Sequence, residues 1–191
     1  MHIGLFFGSF NPVHIGHMAL ANYMLSYTDM DEIWMVISPH NPLKNKSSLL
    51  NQNHRLALVN LAIDDFQGIK SSTIEFNLPQ PSYTINTLAH LNEKYPLHKF
   101  SLIMGQDNLM NFVKWKNHET ILKSYQIFVY PRQNSVSSEF DNHPSVHFTK
   151  APIIEISSTL IRNAIKERKD VRFFLPSKVW TEIEAAGYYQ H

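Results

Sequence analysis

Cysteine is absent from all 191 residues of the chain. That excludes disulfides, thiol nucleophiles and any zinc site built on Cys ligands. No apolar run approaches the roughly 20 residues that a membrane-spanning helix needs. The apolar stretch HIGLFF, residues 2–7, has no basic segment ahead of it and meets a Gly/Pro turn at once. It does not read as a signal peptide, and a cytoplasmic location is expected. Charge of one sign is lacking as well: Lys+Arg number 17 and Asp+Glu 16, for a net charge of +1 and a sequence pI near 8.0. Such a balance leaves no electrostatic footprint for DNA or RNA, whereas a small anionic ligand needs only a few well-placed cations. Neither nucleic acid nor membrane is expected as a partner, and a homo-oligomer is left open.

What is present is ordinary globular material, 43% apolar and 17% charged, with the length of one domain. Residues 1–191 read as a single unit whose C-terminal part, from about 157, is helical. Short apolar runs alternate with helical spacing along the chain. Strands are expected at 2–7, 32–38, 69–76, 99–105 and 125–131, with a further short strand region inside VHFTKAPIIEI, 146–156. Helices are expected from Ile15, over 55–63, 83–95 and 158–169, and after Pro176. This alternation predicts an α/β fold, with a mostly parallel sheet covered by helices on both faces. Functional groups then belong at the carboxyl ends of the strands. The polar segment RQNSVSSEFDNHP, 132–144, reads as a mobile surface loop.

The exit of the first strand is GSFNPVHIGH, Gly8 to His17. Gly8 allows a turn without a Cβ clash, Pro12 stiffens it, and Gly16 permits close approach to the first helical turn. Amides at a helix N-terminus point outward with partial positive charge, so strand, glycine turn and helix start together form an anion site. His14 and His17, three apart, can both face one phosphate. Two histidines at that spacing are also metal-ligand types, but no third ligand is apparent, and no protein metal site is expected.

GSFNPVHIGH resembles the GxFxPxHxGH signature of the nucleotidyltransferase superfamily that includes the class I aminoacyl-tRNA synthetases. Far downstream, ISSTLIR, Ile156 to Arg162, is similar to the ISSTxIR signature of its adenylyltransferase branch. Between them SPHNPLK (38–44), PSYTINTL (81–88), MGQDNL (104–109) and VKWK (113–116) resemble segments of the bacterial nicotinate-nucleotide adenylyltransferases. The chain departs from the usual pattern at Ser9, where Gly is frequent, at Asn86, where Asp is frequent, and at Gln106, where Ala is common. Pantetheine-phosphate adenylyltransferase shares the outer signatures without the SYT and WK segments and is the alternative enzyme. A nucleotide-binding module of the same fold, without turnover, is the alternative outside the enzymes.

The resemblance implies a Rossmann-like nucleotidyltransferase fold and transfer of AMP from ATP to nicotinate mononucleotide, giving deamido-NAD and pyrophosphate. It implies His14, His17 and Arg162 as catalytic residues. ATP would be held by Gly8, Ser9, Phe10, Gly16, Gly105, Asp107, Ser157, Ser158 and Thr159 together with those three. Lys44, Tyr83, Thr84, Trp115 and Lys116 would take the mononucleotide, with Lys46 a weaker candidate than Lys44. Mg²⁺ would arrive with the ATP phosphates and need no dedicated protein ligands.

Overall fold

A strand covered on both faces must be apolar at every position, and strand β1 (His2–Gly8) is buried from His2 through Phe6. The computed structural model describes residues 1–39, 49–64, 66–134 and 136–190. Beside β1 run β2 (Glu32–Ile37), β3 (Ile69–Ser72), β4 (Lys99–Gly105), β5 (Gln126–Tyr130) and β6 (Val146–Phe148). The sheet order is β3-β2-β1-β4-β5-β6, and every neighbouring pair is parallel. Phe6 stands opposite Met35 of β2 on one side and Ile103 of β4 on the other.

Period-two alternation divides the core between the two faces. Phe6, Ile33, Met35, Ile37 and Ile103 point to one face. There they meet helices α1 (Ile15–Tyr27), α2 (Gln52–Ile63), α6 (Ser158–Lys166) and α7 (Ser177–Ala186) through Leu20, Met24, Leu58, Val59, Ile161 and Val179. Ile3, Leu5, Val36, Leu102, Met104, Ile127 and Val129 point to the other. Their partners are α3 (Thr84–Lys94), α4 (Gln106–Met110) and α5 (His118–Ser124), through Leu88, Leu91, Leu109, Ile121 and Leu122. The chain winds outward from β1 through β2 to β3, then returns to β4 and winds the opposite way. A crevice therefore opens at the carboxyl ends of β1 and β4, the topological switch point of such sheets.

Several boundaries differ from the sequence reading for local reasons. The expected strand 69–76 stops at Ser72, because Ile74–Asn77 forms a 3₁₀ turn that carries Glu75 inward, where Thr87 Oγ1 donates to it at 2.8 Å. Helix α2 begins at Gln52, earlier than the apolar spacing suggests, since Asn51 caps it by accepting from the Asn53 amide. Of 146–156 only Val146–Phe148 pairs as a strand; Pro152 has no amide to donate, and the chain beyond brings Ile154 and Ile156 to the crevice lining. Helix α6 ends at Lys166, two residues before Arg168 takes a left-handed φ of 58°. Helices α4 and α5 and the 3₁₀ turn Phe112–Lys114 are too short for periodicity to reveal. The segment expected as a free loop, 132–144, is pinned: Phe140 is buried edge-on against Phe112 at 5.7 Å, and Ser138 Oγ donates to the Leu109 carbonyl at 3.4 Å. Among the described residues no helix is long and apolar enough to cross a membrane.

Candidate active site

The crevice holds a cavity of about 670 Å³. Its floor is the exit of β1. Phe10 has a φ of 45°, costly for a bulky residue, and its ring turns back into the core beside Phe6 and His17. A Cβ on Gly8 would lie 2.7 Å from that ring, so this glycine exists for Phe10. Gly16 serves His14 in the same way: a Cβ there would meet His14 Nδ1 at 3.0 Å and Ile154 at 3.1 Å. The close approach expected at Gly16 is thus made by side chains of the chain itself.

His14 takes the N-cap position of α1 with extended backbone, and His17 follows in the first turn. Their rings stack with centroids 3.7 Å apart. The His14 amide donates to His17 Nδ1 at 3.2 Å. An imidazole nitrogen that accepts carries no proton, so neutral His17 bears its proton on Nε2 and presents a donor there. His14 is only 4% exposed, and its Nδ1 has no hydrogen-bond partner among the described residues. Burial strips the charged form of hydration and the Arg132 cation repels it, which together lower the His14 pKa to about 4.

That shift has a sign that can be measured. Between pH 6.5 and about 4 an unfolded chain binds a proton that folded His14 refuses. This contribution to stability is complete above pH 6.5 and is lost as pH falls through that window, by roughly 2–4 kcal/mol. Urea unfolding at pH 7.5 and pH 5 should show the loss, and His14→Gln should reduce it. An equal pH dependence in both proteins would remove His14 as its source.

The second signature is bolted onto the first. Ser157 caps α6 by accepting from the Leu160 amide at 3.2 Å. Ser158 Oγ donates to the Pro12 carbonyl at 2.9 Å, across 146 residues of chain. Arg162 Nη1 donates to the Asn11 carbonyl at 2.8 Å, and its Nη2 to Thr159 Oγ1 at 3.3 Å. Asn11 Oδ1 accepts from the Leu50 amide and from the Tyr189 hydroxyl. Burial raises the Tyr189 pKa well above the usual phenol range, against the opposing pull of Arg162 and Arg55.

Most of the residues expected for ATP line this one cavity: Gly8, Ser9, Phe10, His14, Gly16, His17, Asp107, Ser157, Ser158, Thr159 and Arg162. Gly105 does not. It caps α4 behind Asp107, whose Oδ1 would lie 2.3 Å from a Cβ at Gly105. On the acceptor side Trp115 lines the cavity, while Tyr83, Thr84 and Lys116 fall outside its lining. Lys116 Nζ instead sits 4.6 Å over the Tyr83 ring, next to Trp115 in sequence. Lys44 and Lys46 lie outside the described residues. Asn86 is exposed in the first turn of α3, and Gln106 opens α4.

Sequence reasoning missed Arg132. It lines the cavity two residues beyond β5, packs 5.2 Å over the Tyr130 ring, and has Nε 3.7 Å from Asp107 Oδ1. A cation just past a strand's carboxyl end was the available signal. The cavity thus gathers two guanidinium groups, two imidazoles and a helix N-terminus against one lining carboxylate, Asp107, which faces Arg132. Among the described residues no three His, Asp or Glu groups stand close enough to hold a metal ion. The arrangement can bind a polyanion.

A cytidylyltransferase-like family model matches residues 5–164. A protein of Flavobacterium psychrophilum named "Probable nicotinate-nucleotide adenylyltransferase" is 55% identical over 192 residues, covering 100% of both chains. One of the same name from Bacteroides thetaiotaomicron is 48% identical, covering 94% of this chain and 89% of its own. The chain belongs to the nicotinate-nucleotide adenylyltransferase family. Among solved structures, Plasmodium falciparum nicotinic acid mononucleotide adenylyltransferase complexed with NaAD superposes with a TM-score of 0.83 at 18% identity. It covers 98% of this chain and 97% of its own, so this family's fold extends over essentially the whole length.

Proposed function

We propose that the protein transfers AMP from ATP to nicotinate mononucleotide. A 5′-phosphate oxygen of the mononucleotide attacks the ATP α-phosphorus in line. The bond from that phosphorus to the α,β-bridging oxygen breaks, and pyrophosphate leaves with its electron pair. A phosphate dianion needs no general base, so the protein's task is positioning and charge stabilisation. The observation that carries the reading is the convergence of His14, His17, the α1 N-terminus and Arg162 on one cavity, held there by the Ser158 and Arg162 bonds to the first loop.

In this reading the His17 Nε2–H donates to oxygens around the α- and β-phosphates. His14, neutral when the cavity is empty, gains the interaction its burial lacks. Arg162 keeps one guanidinium nitrogen on Asn11 and offers the fork's remaining donors to the β- and γ-phosphates. Asp107 accepts from ribose hydroxyls. Mg²⁺ fits this donor set only as a passenger on the phosphates, where it neutralises charge, because the lining supplies hydrogen-bond donors and a single, ion-paired carboxylate. Ser157–Thr159 shape the α6 end of the cradle.

At the acceptor end, Trp115 stacks on the pyridine ring, and Lys44, Tyr83, Thr84 and Lys116 complete the mononucleotide site. The Thr84 and Ile85 amides lie in the first turn of α3, ahead of the first intrahelical bonds, and favour a carboxylate over a neutral carboxamide. Substrates of this kind are soluble nucleotides, and we assign the reaction to the cytoplasm. A pyrophosphate-release assay with ATP should therefore show turnover with nicotinate mononucleotide, at least tenfold lower kcat/KM with the amide, and none with phosphopantetheine. Equal values for acid and amide would overturn the carboxylate assignment, and release with none of the three would support a binding module without turnover.

A further inference from the structure

Arg55 has the largest fully buried side chain among the described residues, at 1% exposure, and it does not line the cavity. It projects from the first turn of α2. Its Nε donates to the Leu50 carbonyl at 2.9 Å, Nη1 to the carbonyls of Ser9 at 2.6 Å and Ser38 at 2.9 Å, and Nη2 to that of Pro39 at 3.1 Å. All four acceptors are main-chain oxygens. Among the described residues no carboxylate pairs with it. An apolar side chain of similar length would fill the space without the cost of dehydrating a charge, but it would leave these carbonyls without their donor. Burying a guanidinium here needs a reason other than packing.

Peptide geometry supplies one. The Ser9–Phe10 bond is trans, since the only cis bonds among the described residues precede Pro12 and Pro81. In a planar trans peptide the carbonyl and the following N–H point in opposite directions. Arg55 holds the Ser9 carbonyl on the α2 side, so the Phe10 N–H is turned the other way, away from Arg55. That is the amide in the middle of the phosphate loop. Its neighbours are fixed from the same stretch: the Leu50 amide donates to Asn11 Oδ1 while the Leu50 carbonyl accepts from Arg55. The Ser38 amide donates to the Gly8 carbonyl at 3.0 Å, so the exits of β1 and β2 are locked as one unit around the guanidinium.

We propose that Arg55 is a positioning residue for the transfer reaction: from outside the cavity it fixes the Phe10 amide and presents an unneutralised positive charge behind the phosphate loop. The inference rests on the AMP-transfer reading for its kinetic consequences and on the geometry alone for nucleotide binding.

Three variants test it. Arg55→Met should remain folded, with kcat reduced tenfold or more and the KM for nicotinate mononucleotide changed less than threefold. Arg55→Lys keeps the charge but cannot reach four carbonyls, and should recover no more than part of kcat. In Arg55→Ala, low-millimolar guanidinium should raise kcat at least threefold without raising the melting temperature, which a merely structural role does not allow. Wild-type kcat in a folded Arg55→Met, or in Arg55→Lys should Met and Ala fail to fold, overturns the proposal. So does a loss that follows melting temperature alone and is unmoved by guanidinium. Binding of a non-hydrolysable ATP analogue, read by calorimetry, separates the two ideas. If wild type shows no turnover with any acceptor, the functional reading fails, while weaker analogue binding in the Arg55 variants still supports the positioning role and unchanged binding ends it.

Discussion

Replacing His17 with alanine is expected to lower kcat by roughly a hundredfold or more, the usual effect of deleting one preorganised donor to a developing charge. The imidazole is tied at Nδ1 by the His14 amide, which fixes both its tautomer and its aim. It therefore needs no reorganisation as pyrophosphate departs. The ring also stacks on His14 and meets Phe10 edge-on at 5.1 Å, so packing loss has to be separated from donor loss. Melting temperature makes that separation, because His17 is only half-buried and its removal should leave the fold intact. ATP affinity should fall much less than kcat, since charge is greatest in the transition state. An unchanged kcat in the folded variant would take His17 out of the chemistry.

Arg162→Lys should reduce kcat/KM for ATP by roughly 10- to 150-fold, the equivalent of one lost charge-assisted hydrogen bond. The guanidinium serves two masters at once: Nη1 holds the Asn11 carbonyl at 2.8 Å and Nη2 contacts Thr159, leaving the rest of the fork for phosphate oxygens. A lysine ammonium is a point donor on a flexible stem, and it cannot hold the loop and the phosphate in one fixed plane. The double variant with His17→Ala should lose less than the product of the two single losses, because in the proposed reaction both groups stabilise the same departing pyrophosphate. Full activity of Arg162→Lys would mean that charge alone, without the planar fork, is sufficient.

Much of this architecture is legible in the residues. The apolar runs of β1, β2 and β4 are continuous because both faces are covered, and continuity is visible without coordinates. Glycine, proline and two histidines at a strand exit announce an anion site for reasons of backbone sterics and helix polarity. Three things were hidden. Arg132 belongs to no pattern; it matters because β5 ends beside β4, a fact of topology. Glu75 reads as a strand residue until Thr87 is seen to receive it. Arg55 looks like the polar edge of an amphipathic helix, whereas its carbonyl partners come from three separate turns. At Gly8 the Cβ clash that glycine avoids is with the Phe10 ring, and at Gly16 the close neighbours are His14 and Ile154, partners that only coordinates name.

The bonds from Ser158 and Arg162 to Pro12 and Asn11 span 146 and 151 residues. Closing so large a loop costs chain entropy that these two bonds share with the sheet and helix contacts around them. The cradle therefore exists only once the two ends of the chain have met. Any opening that separates α6 from the first loop breaks both bonds and with them the cradle, so a nucleotide held between His17 and Arg162 should raise the melting temperature by tying the two ends of the chain together.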